Sequence, residues 1–121
     1  MSTDRLPPVP SVEEYQRVLA RLQAELPERH VELLRAHYRS PRHTATAAQL
    51  AEAVGYAGWR AVNLQYGKLG KRLRESLDCQ LEGQASYAIA TFVSPGTASN
   101  AEWLWVMHPE LAQALEQLGW T

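Results

Sequence analysis

Apolar residues recur every three or four positions along most of this chain, then switch to every second position near its end. Val12, Tyr15, Leu19, Leu22 and Leu26 fall on one face and predict a first helix. Ser11 and Glu14 form an S-x-x-E capping box at its start, in which each residue can satisfy a backbone N–H of the other. Pro27 ends that helix and suits the first turn of the next. Val31, Leu34 and Tyr38, widened by Leu33, give the second helix its stripe, and Ser40-Pro41 closes it because the residue before proline avoids the helical region. Thr46 and Gln49 make a second capping box. Ala47, Leu50, Ala51 and Val54 are the expected buried side of a short third helix, which Gly55 stops. A fourth helix begins near Gly58 or Trp59 and runs towards Leu77, with Val62, Leu69, Leu73 and Leu77 inward.

After Gly83 the pattern changes. Ala85 to Val93 is rich in β-branched and aromatic residues and carries no charge, and Ser94-Pro95-Gly96 is a turn signal. From Glu102 to Met107, Trp103, Trp105 and Met107 alternate with Leu104 and Val106. The two runs predict a β-hairpin with a loop of roughly eight residues, longer than the usual two to five. Pro109 then opens a last helix with Leu111, Ala114, Leu115 and Leu118 inward and Gly119 as its stop. The expected fold is mainly α with a small β-hairpin: four helices, a two-stranded hairpin and a C-terminal helix. A winged helix-turn-helix is one compact arrangement of that order.

The 121 residues suit one domain, read as 11–121 after a proline-rich, extended lead over 1–10. A single cysteine, Cys79, excludes an intramolecular disulfide and suits a reducing cytoplasm; it is expected to be partly buried near a helix end. No apolar run reaches the ~20 residues that span a bilayer. Net charge is −1, which by itself does not suggest nucleic acid. The distribution does. From Arg35 to Arg74 stand Arg35, Arg39, Arg42, Arg60, Lys68, Lys71, Arg72 and Arg74 against one acid, Glu52, while the rest of the chain holds four basic and twelve acidic residues. Such asymmetry predicts one cationic binding surface and an acidic remainder.

Gln49-Leu50-Ala51-Glu52-Ala53-Val54-Gly55-Tyr56 resembles the first helix and turn of helix-turn-helix DNA-binding proteins. Ala51 is small where the second helix crosses, Gly55 permits the turn, and Leu50, Val54 and Tyr56 are placed to pin the pair, with Ala61 and Leu64 packing back. The resemblance makes the helix from Gly58 the recognition helix, which presents its N-terminal residues to base edges in the major groove. Arg60 and Asn63 lie at i and i+3; arginine bonds guanine bidentately and asparagine adenine, with Gln65 a weaker candidate. Arg42, Lys68, Lys71, Arg72 and Arg74 suit phosphates, which supply affinity without reading sequence. Trp59, Tyr66, Trp103 and Trp105 are expected in the core rather than as stacking platforms. An uncharged loop from Ser94 to Asn100 would meet the backbone only through hydroxyls, amides and N–H groups.

Two glycines inside the fourth helix, Gly67 and Gly70, predict either the close approach of another backbone or a break near Tyr66-Gly67. Gly67-Lys68-Leu69-Gly70 also matches the GXXG loop of KH domains, which clamps single-stranded nucleic acid, although the strand that fold places earlier is replaced by a helical pattern over Ala45–Tyr56. More widely, LRAHYRSPRHTATAAQLAEAVGYAGWRAVNLQYGKLGKRL, Leu34 to Leu73, resembles a module that precedes the nuclease domain in bacterial proteins of the HNH endonuclease class, continuing weakly through Glu102-Trp103-Leu104-Trp105 and the last helix. That resemblance implies a DNA-targeting or accessory module without the catalytic part, acting beside a nuclease or other protein.

The histidines do not assemble a recognisable site. His30 and His37 lack a completing ligand at zinc spacing and are expected on a helix surface; His108 lacks the preceding pair an HNH site needs. No nucleophile elbow, phosphate loop or dinucleotide fingerprint occurs, so neither catalysis nor a cofactor is expected. The leading expectation is a winged helix-turn-helix that binds double-stranded DNA, as monomer or homodimer, with no membrane partner. The apolar face from Val12 to Leu26 is expected in the core rather than as a dimer seam. Beside it stand a winged-helix adaptor or inhibitor that binds protein in a phage-defence setting, and the KH-like single-strand binder.

Overall fold

The computed structural model describes residues 9–77, 85–93 and 103–121. Ser11 accepts a hydrogen bond from the Glu14 N–H at 3.1 Å and starts α1 (Val12–Leu22). After it come α2 (Glu28–Arg39), β1 (Thr44–Thr46), α3 (Ala47–Val54), α4 (Trp59–Ser76), β2 (Ala90–Val93), β3 (Leu104–Met107) and α5 (Pro109–Leu118). The fold is mainly helical with a small antiparallel sheet. The capping box at α3 is complete: Gln49 N–H donates to Thr46 Oγ1 at 3.0 Å, and Thr46 N–H to Gln49 Oε1 at 2.9 Å. Gly55, at φ 80°, closes α3 in the left-handed region that glycine enters without steric cost.

The sheet has three strands, not the expected two, in the order β1-β3-β2. Thr44–Thr46 reads locally as the approach to a helix. It pairs instead with the middle strand, Ala45 opposite Trp105 and Thr46 opposite Leu104, while Phe92 flanks Trp105 from β2. Three residues carry too little alternation to be seen locally, and their partner lies sixty residues away. The first predicted strand is also shorter than expected: Ala85–Ala88 forms a 3-10 turn, and pairing begins at Ala90. Similarly, α1 ends at Leu22, although Leu26 still reaches the core. Residues 1–8 of the lead 1–10, Cys79 and the Ser94–Asn100 loop lie outside the described residues, while Pro10, at the end of the lead, is buried.

Packing explains one of the two glycines in α4. The helix is continuous, so neither a break nor a GXXG loop forms at Gly67–Gly70. A Cβ on Gly70 would stand 2.2 Å from the Ala85 carbonyl oxygen, so the 3-10 turn crosses directly on the bare helix. Tyr15 Oη donates to the Ala88 carbonyl at 2.6 Å and ties α1 to the same turn. The apolar face of α1 packs on α5 within the core, as its stripe suggested.

Contrary to expectation, His30 and His37 are buried, at 3% and 0% exposure. His37 Nε2 lies 2.7 Å from the Trp105 carbonyl, which can only accept, so this nitrogen carries the proton. Its Nδ1 then accepts from Tyr66 Oη at 2.8 Å. Burial pushes the His37 imidazolium down to about 4 and raises the Tyr66 phenol.

Two outcomes follow for stability. Gly70→Ala forces α4 off the turn and lowers unfolding free energy by about 1–3 kcal/mol in urea titration, despite alanine's better helix propensity. The unfolded chain binds a proton at His37 near pH 6.5 and the folded chain only near pH 4. The stability this residue contributes is therefore complete above pH 6.5 and is lost as pH falls towards 4, by roughly 3 kcal/mol. His37→Gln removes that portion of the pH dependence, measurable as a flatter stability curve between those pH values.

Candidate nucleic-acid interface

α3, the turn at Gly55 and α4 form the helix pair that the sequence suggested. Leu50 and Ala51 are buried against α4, and Val54 and Tyr56 are half-buried beside them. Arg29, at the start of α2, holds the turn from outside. Its guanidinium donates to the Val54 carbonyl, one of the acceptors that a helix end leaves unpaired, and lies 4.9 Å from the centre of the Tyr56 ring. Sequence reasoning placed Arg29 in the acidic remainder, because nothing local marks a cation that reaches a carbonyl 25 positions away.

Val62, Tyr66, Leu69, Gly70 and Leu73 are the buried side of α4. Arg60, Asn63, Gly67, Lys71 and Arg74 follow at spacings of three and four, so they form one line along the outer side of α4, next to Leu64, Lys68 and Glu75. Arg60, Asn63, Lys68 and Lys71 are exposed, and Arg74 is partly so. Arg60 lies 5.3 Å from the centre of the half-buried Trp59 ring, which steadies it at the helix start. Among the described residues, the side chains of Arg60, Lys68 and Lys71 enter no hydrogen bond or ion pair, whereas Arg74 has a partner of its own. Glu75, exposed one turn beyond Lys71, is the acid nearest this line along the helix.

Several expected members stand elsewhere. Gln65 turns towards α2, where its Oε1 accepts from His30 Nε2 at 2.9 Å, so it supports the core rather than facing a groove. His30 Nδ1 is buried with no partner, which makes the Gln65 bond the one that satisfies this ring. Arg72 points to the α1–α2 connection, 3.4 Å from the Glu25 carbonyl. Arg35 and Arg39 donate to the Trp120 and Thr121 carbonyls and fasten the residues after α5 to α2. Arg42 precedes β1 at φ 55°, followed by His43 at φ 56°. The His43 ring bonds the Tyr38 carbonyl at 2.6 Å and stacks on the Tyr38 ring, holding this left-handed pair in place. Arg42 lines an open cleft of about 780 Å³ with Thr44, Gln49, Glu52 and Leu104, separate from the line on α4. Leu64, expected to pack back on α3, is 57% exposed on the cationic side. The eight cations of the central segment are thus divided, and four of the five on α4 stand on its outer side, Arg74 among them with a partner of its own.

Trp105 is buried and stacks on Phe92 at 4.8 Å and Tyr66 at 5.2 Å, and Trp103 is half-buried, so these rings belong to the core. Among the described residues, no three His, Cys, Asp or Glu side chains gather as a metal site requires. No described helix is long and apolar enough to cross a membrane. No family model, curated protein or solved structure matches the chain.

Gln65→Ala leaves a buried imidazole N–H unpaired and is expected to cost about 1–3 kcal/mol of stability. Chemical denaturation detects that loss.

Proposed function

We propose that the chain is a winged helix-turn-helix module that binds double-stranded DNA without catalysis, as a targeting or regulatory unit. The observation that carries this reading is the gathering of Arg60, Lys68, Lys71 and Arg74 with Asn63 on the solvent side of α4. The order α2-β1-α3-α4-β2-β3, with β3 between the other two strands, supports it, since a helix pair followed by a short hairpin is what that architecture requires. The resemblance of Leu34–Leu73 to the module preceding HNH nuclease domains favours a targeting role in the same direction.

In this reading α4 enters the major groove with Arg60 and Asn63 towards base edges, while Lys68, Lys71 and Arg74 neutralise phosphates further along. The groove is about 12 Å wide and admits one helix. Gln65 and Arg72 hydrogen-bond within the fold and stand back from this surface, while Arg42 is exposed beside a separate cleft.

About four cations, rather than the six or more that charge counting alone suggests, set the salt response. Affinity for a mixed-sequence duplex is expected to fall on the order of 10²-fold between about 50 and 200 mM salt. Arg60→Ala relaxes sequence preference in selection from a random duplex library, whereas Lys71→Ala weakens all sequences alike and flattens the salt slope by about one. Absence of duplex binding at low salt overturns the proposal and leaves the protein-binding adaptor.

A further inference from the structure

Among the described residues nothing requires position 67 to be glycine. It sits inside an unbroken helix, its φ lies in no region that excludes other residues, and a Cβ there meets no described atom within 4 Å. Gly70, three residues on, shows the contrast, with a carbonyl oxygen in the space a Cβ would take. A helix-interior glycine is less favourable than alanine, so the bare position at 67 is a standing loss that packing does not recover.

Its place in the cationic line supplies a reason. Asn63 and Lys71 flank it one turn away on either side, about 6 Å along the axis, and Arg60 and Arg74 stand two turns away, about 10 Å. From Arg60 to Arg74 the charged side chains of that line are cations, and Glu75 stands one turn past Lys71. Without a Cβ, the middle of the line is a notch in which a partner chain can come against the helix backbone while cations reach it from one or both sides. A polyanionic strand fits this combination of bare surface and flanking positive charge.

We propose that a DNA sugar–phosphate strand crosses α4 at Gly67, with Arg60 and Asn63 on its groove side and Lys71 and Arg74 beyond it. The inference rests on the duplex-binding reading and adds the point of crossing. It makes Gly67 a positioning residue: the notch sets how deep the N-terminal half of α4 sits in the groove.

Gly67→Ala and Gly67→Leu test it, each measured for thermal unfolding and for binding to a mixed-sequence DNA duplex at low salt. Gly67→Ala is expected to raise the melting temperature by about 4 °C, because helix propensity improves and nothing is displaced. The same change is expected to weaken duplex binding by about tenfold, and Gly67→Leu by more, because the added side chain holds the strand off the helix. Opposite movements of stability and affinity support the proposal. Unchanged affinity in folded variants overturns the crossing at Gly67 and leaves the duplex reading standing. A lowered melting temperature for Gly67→Ala also overturns it, since the glycine would then be demanded by the fold. Failure of the unaltered protein to bind the duplex removes the reading beneath it.

Discussion

The junction of His37, Tyr66 and the Trp105 backbone sets how the helices meet the sheet. One neutral imidazole accepts a hydrogen bond from the Tyr66 hydroxyl on α4 and donates one to the Trp105 carbonyl of the central strand, so three elements share two buried hydrogen bonds. Inside a protein such bonds are directional and costly to leave unmade. Tyr66 lies on the inner side of α4, directly behind the surface that carries the cations. Fixing its hydroxyl therefore fixes the rotation of α4 about its own axis, and with it which side chains face solvent. The aromatic stack of Tyr66, Trp105 and Phe92 extends the same constraint across the sheet to β2.

A second constraint sets the position of α4 along its length. The Ala85–Ala88 turn lies on Gly70 so closely that any side chain there would collide with its backbone. At the other end, Arg29 clamps the Val54 carbonyl of α3 and the Tyr56 ring. With rotation, translation and the entry turn all held, the backbone of α4 from Arg60 to Arg74 is set by the scaffold. For the proposed duplex reading this matters, because base contacts depend on geometry while phosphate contacts depend mainly on charge.

The division of cations gives the positive segment more than one task. Arg35 and Arg39 close the C-terminal residues onto α2, and Arg72 reaches the α1–α2 connection. Those three positive charges act through hydrogen bonds to carbonyl oxygens, which a charge count along the chain cannot distinguish from cations awaiting a phosphate. The two glycines of α4 divide in the same way: one is required by a neighbouring backbone, and a Cβ on the other meets no described atom within 4 Å.

The periodicity of apolar residues was enough to place the helices, their caps and the inner face of α4, because those features arise from contacts three or four residues apart. Thr46 and Gln49, Gly55 and Gly119 are local devices, and they act as the sequence implied. The resemblance around Gln49–Tyr56 located the helix pair for the same reason. Tertiary structure alone decided the rest. β1 exists only through its pairing with β3, His30 and His37 became interior because Gln65, Tyr66 and Trp105 arrived as partners, and Leu64 was left outside once Tyr66 and Leu69 filled the inner face. Polar groups declare no partner until distant segments meet, so which cations remain at the surface is a property of the assembled fold.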